Sequence, residues 1–234
     1  FRPPAPATFA ALHGALAGEY GRPRLRRQGE SGSACGRKQT VVDACVAIIL
    51  SQNTSNTNSR RALAALRAAY PGGPPQILQQ ASPKALAAVI KAGGLANVKS
   101  KRIFDMLTHL KETTGGLSLE YLRDEPDDVV KRELGKFKGL GPKSISCILA
   151  FTLDRQDLAV DTHVHRVANR LGLVVPGSSR ESVYDQLGVT CPNELKQEMH
   201  VLLIKHGQQV CKAQKPGCDS CPLGDVCVSY MHTN

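Results

Sequence analysis

The sequence predicts an all-α protein, and three observations carry that prediction. Apolar residues recur at helical spacing in ten segments, strand-like alternation bounded by turns is absent, and Gly/Pro punctuation falls between the segments. The segments are Phe9–Tyr20, Val41–Leu50, Arg61–Tyr70, Pro83–Ile90, Val98–Leu110, Pro126–Leu134, Pro142–Leu153, Thr162–Leu171, Ser179–Leu187 and Asn193–Val210. The punctuation is Pro71-Gly72-Gly73-Pro74-Pro75, Gly93-Gly94, Gly115-Gly116 and Pro176-Gly177-Ser178-Ser179. Ser82-Pro83 supplies an N-cap followed by proline at the first helical position. Many short helices on short turns point to an orthogonal assembly rather than a four-helix bundle. The polar, basic stretch from Arg22 to Gln39 reads as a linker or exposed loop.

The 234 residues are enough for one large domain or two lobes with a real core, and a 41% hydrophobic fraction is ordinary for a folded chain. A net charge of +10 exceeds what solubility requires and calls for an anionic partner, with nucleic acid favoured over membrane. No apolar run approaches the roughly 18 residues that a membrane span needs. Aromatic residues make up 4% and tryptophan is absent, which argues against a platform for stacking single-stranded bases. Cys45 and Cys147 sit in apolar runs and read as small core residues of a protein from a reducing compartment; Cys35 has no assigned role. The chain begins at Phe1 rather than Met, which fits a trimmed chain from which any targeting peptide would be missing.

Lys138-Gly139-Leu140-Gly141-Pro142-Lys143 joins two helical segments. The glycines permit a tight turn and close approach of a ligand, and Pro142 suits the first position of the next helix. Amides around Gly139 and Gly141 beside that helix N-terminus would suit a phosphate, although a Gly-x-Gly turn also occurs as a plain helix connection. The basic residues Lys131, Arg132, Lys136 and Lys138 just before it favour the DNA-backbone reading over a solvated helix face. Lys143 falls in the first turn, where the helix dipole disfavours an ammonium and so favours the neutral amine of Schiff-base chemistry. Asp161, opening Asp161-Thr162-His163-Val164-His165-Arg166, is placed as an N-cap. Its carboxylate could cap the helix alone or also stabilise developing positive charge on a sugar ring. His163 and His165 have no third ligand nearby and take a structural or DNA-facing role.

Cys211-x6-Cys218-x2-Cys221-x5-Cys227 gathers four cysteines in one short loop. Four thiolates there suit tetrahedral zinc or a cubane iron–sulfur cluster, whereas two disulfides fit a secreted miniature scaffold better.

Taken in order, Phe137–Lys143, Ala159–Arg166 and Cys211–Cys227 resemble the helix-hairpin-helix DNA glycosylases of the endonuclease III type, the likeness running from about Val41 to Cys227. The resemblance implies a two-lobed all-α fold. A six-helix barrel domain with the hairpin would span 40–155, and an iron–sulfur domain would combine 1–39 with 156–234. It implies a [4Fe-4S] cluster on Cys211, Cys218, Cys221 and Cys227. It makes Lys143 the nucleophile that expels the base and forms a Schiff base permitting β-elimination, with Asp161 assisting. An adenine-removing branch of the family lacks that lysine, so this chain is expected to be both glycosylase and AP lyase. Gln52 or Asn53, at the end of an apolar helix, would fill the gap left by the extruded base. Gly139 and Gly141 of the hairpin, with Lys212 and Lys215 of the cluster loop, would contact phosphates. The expected partner is double-stranded DNA carrying a damaged or modified base, bound by a monomer with no membrane. The expected location is the nucleus or a DNA-containing organelle in a eukaryote, and the nucleoid in a bacterium.

Gly116–Asp124 and Lys212–Cys221 look more like the plant DEMETER-type 5-methylcytosine glycosylases. The large additional domains of that type are absent from these 234 residues, so the expected substrate is an oxidised pyrimidine. The alternatives are excision of 5-methylcytosine or of a mismatched base and, outside enzymes, a DNA-binding or redox-sensing iron–sulfur protein.

Overall fold

The computed structural model describes residues 4–24 and 40–231. Most of the stretch read as a linker, from residue 25 on, lies outside these residues, as does Cys35. Every regular element among the described residues is helical. The chain divides into two compact units, one of Arg26–Asp154 and one combining Phe1–Leu25 with Arg155–Asn234. Among the described residues, no helix is long and apolar enough to cross a membrane.

In the order of the chain, α1 spans Pro6–Tyr20, and the Arg26–Asp154 unit then holds seven α-helices among its described residues: α2 (Val41–Ser51), α3 (Asn56–Ala69), α4 (Pro74–Gln80), α5 (Pro83–Val89), α6 (Ala96–Thr114), α7 (Asp127–Gly135) and α8 (Pro142–Phe151). Apolar side chains surround α2 on nearly every side, with Val41, Val42, Cys45, Ile49 and Leu50 all buried, so it forms the centre and packs against α3, α6 and α8. Each such side chain contributes about 1.5–3 kcal/mol by leaving water. Thr40 starts the helix by accepting from the Asp43 amide at 3.0 Å. Cys45 is fully buried and its thiol is pushed up to about 12 by desolvation, which makes it an inert core residue. Cys147 is also buried.

In the other unit α1 packs on α11 (Lys196–Gln209), and α11 packs on α9 (Thr162–Leu171), with α10 (Arg180–Thr190) and the short α12 (Val228–Met231) beside α9. Phe9, Leu12 and Leu16 bury one stripe of α1. Polar pins fix the register of α1 on α11. His13 Nε2 lies 2.6 Å from Glu198 Oε2, Arg22 Nε donates to the same carboxylate, and Lys205 Nζ donates to the Tyr20 carbonyl at the end of α1.

Candidate functional site

Six residues, 136–141, carry the chain from the end of α7 to Pro142 of α8, and each glycine of the Gly-x-Gly turn has its own reason. Gly139 has φ +102, which the backbone there reserves for glycine, and a Cβ would stand 2.7 Å from Arg102 Cδ, so the Arg102 side chain would also have to shift. Gly141 is the N-cap of α8 at φ −81, an ordinary value, and a Cβ there would meet nothing within 4 Å. Inside the protein nothing requires Gly141 to lack a side chain, and the open space lies at the start of a helix whose first amides need acceptors. Pro142 and Lys143 are the first two residues of α8, and Lys143 is exposed. Of the basic residues before the hairpin, Lys136 is paired with Glu133 at 2.6 Å, and Lys138 is exposed.

The end of α2 lies against this hairpin. Gln52 Nε2 donates to the Gly139 carbonyl at 2.6 Å and to Ser144 Oγ at 3.3 Å, while its Oε1 accepts from Arg102 Nη1 at 3.0 Å. Both ends of the Gln52 amide are thus engaged within the protein. Asn53, the next residue, is exposed and sits in the left-handed region at φ +49. Of the two candidates for filling a base gap, one is tied down and the other points into solvent.

Sequence reasoning passed over a second loop. Leu95, just before α6, has φ +48 and is 54% exposed. A strained backbone that displays an apolar side chain is uncommon, and such strain concentrates at functional positions. The loop is fastened to the Asn53 loop by Lys99, whose Nζ donates to Leu50 O at 2.8 Å and to Gly93 O at 2.7 Å. The signal available in the sequence was a leucine immediately after the Gly93-Gly94 pair.

Asp161 belongs to the other unit and caps α9. Its Oδ1 accepts from the amides of His163 and Val164, both at 2.8 Å, so the cap occupies one carboxylate oxygen and leaves Oδ2 out of it. His163 pairs with Arg166 Nη2 at 3.0 Å and His165 lies 2.7 Å from the Ser178 carbonyl, which gives both rings structural partners.

Cys211, Cys218, Cys221 and Cys227 line a cavity of about 200 Å³ together with Arg170, His206 and apolar atoms of Leu171, Val210 and Pro216. None of the four is in a disulfide. Among the described residues, no three His, Cys, Asp or Glu side chains converge closely enough to hold a single metal ion. The cavity has room for a multi-atom cluster as well as for a single ion. Donors already point at two of the sulfurs, the Leu223 amide 3.4 Å from Cys221 Sγ and Arg170 Nη1 3.5 Å from Cys211 Sγ. Arg170 of α9 also reaches the carbonyls of Lys212 and Ala213, fastening the loop to that helix, while Lys212 and Lys215 are exposed. Of the predicted residues, Gln52, Asn53, Gly139, Gly141 and Lys143 thus share one unit; Asp161, the cysteines and the two loop lysines share the other.

Residues 46–193 match the model of the HhH-GPD superfamily base excision DNA repair proteins. An Arabidopsis thaliana protein provisionally named a DNA glycosylase is 40% identical over 196 residues, covering 80% of this chain and 66% of that protein. Endonuclease III of Thermotoga maritima is 33% identical over 185 residues, covering 79% of this chain and 81% of the enzyme. The transcriptional activator DEMETER of Arabidopsis thaliana is 31% identical over 169 residues, which is 65% of this chain but 8% of that protein. Among solved structures, a trapped endonuclease III–DNA covalent intermediate superposes with a TM-score of 0.77 at 24% identity, covering 98% of this chain and 99% of the other, which establishes the fold. With more than half of its length matched by the family model and a third of its aligned residues shared with a bacterial enzyme, the chain belongs to the HhH-GPD superfamily of base excision DNA repair proteins, as a glycosylase of the endonuclease III type.

Proposed function

We propose that this protein binds duplex DNA through the Gly139–Lys143 hairpin, extrudes an oxidised pyrimidine and removes it with Lys143 as nucleophile, acting as both glycosylase and AP lyase. The observation that carries the reading is the start of α8. An exposed lysine stands at the second helical position, two residues after a glycine with open space over it that no internal packing explains. Seating a phosphate on the α8 amides would bring the sugar–phosphate backbone to Lys143 Nζ.

In that setting Lys143 Nζ forms a bond to the anomeric carbon while the glycosidic C–N bond breaks and its electron pair leaves with the base. Ring opening gives the imine between Nζ and the sugar. Loss of a proton from the adjacent carbon then breaks the bond to the 3′ phosphate, nicking the strand. Asp161 is oriented by two backbone amides on Oδ1, and its Oδ2 would stabilise positive charge on the sugar or take the ammonium proton. Asn53 fills the vacated stack, with Leu95 as its apolar companion, because Gln52 is engaged with the hairpin.

Cys211, Cys218, Cys221 and Cys227 would hold a [4Fe-4S] cluster, a reading supported by the endonuclease III-type likeness of their spacing and compatible with the room and the donors around their sulfurs. Bound there, the cluster supplies cross-linking of the loop rather than excision chemistry. Lys212 and Lys215, on the surface of that loop, would meet phosphates of the same duplex.

The preference for oxidised pyrimidines over 5-methylcytosine rests on the likeness to endonuclease III over most of that enzyme's length, against 8% of DEMETER. The DEMETER-like stretch Gly116–Asp124 is occupied with packing its own unit: Leu119 and Leu122 are buried, Glu120 Oε1 accepts from the Val41 amide, and Arg123 Nη1 donates to the Thr152 carbonyl. Likeness there reflects the core and says little about base choice. The test is a panel of duplexes carrying thymine glycol, 5-methylcytosine, uracil or a thymine mismatch, each assayed for base release and strand cleavage. Release and nicking on thymine glycol well above the other three support the assignment; preference for 5-methylcytosine or the mismatch would replace it.

A further inference from the structure

Two cations on one face of α6 hold the Asn53 loop from beneath. Lys99, 1% exposed, ties the last turn of α2 at Leu50 to the turn at Gly93 that precedes Leu95. Arg102, one turn further along α6, takes hold of Gln52 at 3.0 Å, and Gln52 passes the connection to the Gly139 carbonyl at 2.6 Å. The Arg102 side chain also lies against Gly139 itself, where its Cδ would be 2.7 Å from an added Cβ. Two polar connections rising from α6 thereby link three segments: Lys99 joins the end of α2 to the turn before α6, and Arg102 with Gln52 joins the end of α2 to the hairpin.

Apolar side chains would fill this volume without the penalty of burying an ammonium. That penalty is visible in Lys99, whose pKa is lowered by desolvation. The polar connections supply directional fixing of loops instead, and their placement at the negative end of α2 suits a cation.

We infer that Lys99, Arg102 and Gln52 are positioning residues that keep the Asn53 loop in register with the hairpin, so that seating the hairpin on the backbone and inserting Asn53 happen together. The inference rests on the proposal that Asn53 enters the duplex and the hairpin binds phosphate. Its consequence is selective. Loosening these connections slows extrusion of a stacked base, while Lys143 still reacts with a sugar that has no base to extrude.

The experiment uses the full cluster-loaded chain as wild type, Arg102→Met, Arg102→Lys, Gln52→Ala, the Arg102→Met/Gln52→Ala double variant and Lys99→Met. Extrusion is followed by 2-aminopurine fluorescence beside thymine glycol in a duplex. Lys143 chemistry is followed in parallel by borohydride trapping on a single-stranded abasic oligonucleotide. Arg102→Met and Gln52→Ala are each expected to slow extrusion about tenfold, as for loss of one charge-assisted hydrogen bond. The double variant should be no slower than the worse single one, because both break the same connection. Arg102→Lys, which keeps a donor, should recover part of the rate, and trapping on the single strand should stay within about twofold for all. Multiplying effects in the double variant, or trapping that falls in step with extrusion, would overturn the inference. Loss of folding in Lys99→Met by circular dichroism would remove Lys99 from the positioning group. Absence of any adduct with the wild type would strike instead at the proposed chemistry of Lys143.

Discussion

The two hairpin glycines allow structure and DNA contact to be separated by a pair of alanine substitutions. At Gly139, alanine must adopt φ +102, outside the comfortable range of an L-residue, which costs about 1–3 kcal/mol. Its Cβ would also start 2.7 Å from Arg102 Cδ, so the guanidinium must move and its bond to Gln52 is lost, adding about 1 kcal/mol. Gly139→Ala should therefore lose about 2–4 kcal/mol of stability. At Gly141, alanine fits φ −81 with nothing within 4 Å, and only the small preference for glycine at an N-cap is forfeited, about 0.5 kcal/mol. The same methyl group would stand where a phosphate approaches the α8 amides, so affinity should fall about tenfold, or about 1.4 kcal/mol. Urea unfolding gives the first quantity, and fluorescence anisotropy with a duplex at fixed salt gives the second. Gly141→Ala binding as tightly as wild type would refute the placement of phosphate over Gly141. Equal stability losses in the two variants would refute the distinction drawn between them.

Asp161→Asn keeps an acceptor for the amides of His163 and Val164, so stability should change by less than about 1 kcal/mol and duplex affinity should hold, while single-turnover base release slows about a hundredfold or more; an equal loss of affinity would mark Asp161 as a cap alone. Lys212→Gln and Lys215→Gln should each weaken binding to damaged and undamaged duplexes alike and reduce the slope of log affinity against log salt by about one; an unchanged slope would take the lysine off the DNA. Desolvation works to raise the Glu198 carboxyl, but hydrogen bonds from Arg22 and His13 outweigh it and leave the pKa below its usual 4.5. A depressed carboxylate stabilises the fold above the unfolded-state pKa, and that stability is lost as pH falls through the folded one. Glu198→Gln should therefore be less stable than wild type at pH 7, with the difference shrinking below pH 4.5 in urea midpoints; a gap that is constant with pH would contradict this.

Legibility in the sequence followed the range of the interactions. Thr162–Leu171 was delimited correctly because local signals do the work: the Asp161 cap, a strongly one-sided apolar face and Gly172 at φ +73 ending the helix. α4 was overlooked because Gly73-Pro74-Pro75 reads as a break, although proline at the first helical position is also a start signal. α3 begins at Asn56, five residues before its apolar face becomes visible, because a Ser55 cap carries a polar first turn. At the site, the hairpin, Lys143, Asp161 and the cysteine spacing are contiguous motifs, so their candidacy is legible in the sequence alone. The engagement of Gln52 could not, since its partners Gly139 and Arg102 lie 87 and 50 residues away. Lys99 was hidden for the same reason: a lysine amid Ser100, Lys101 and Arg102 looks solvated until folding buries it against Leu50 and Gly93.

The central claim, that Lys143 forms the covalent link to the sugar, is tested most directly by borohydride trapping of the intact protein on a duplex with an abasic site, followed by peptide mass mapping. The account predicts one adduct, located on the peptide containing Lys143 and absent from Lys143→Gln. A wild-type adduct on another residue, or undiminished trapping by Lys143→Gln, would contradict it.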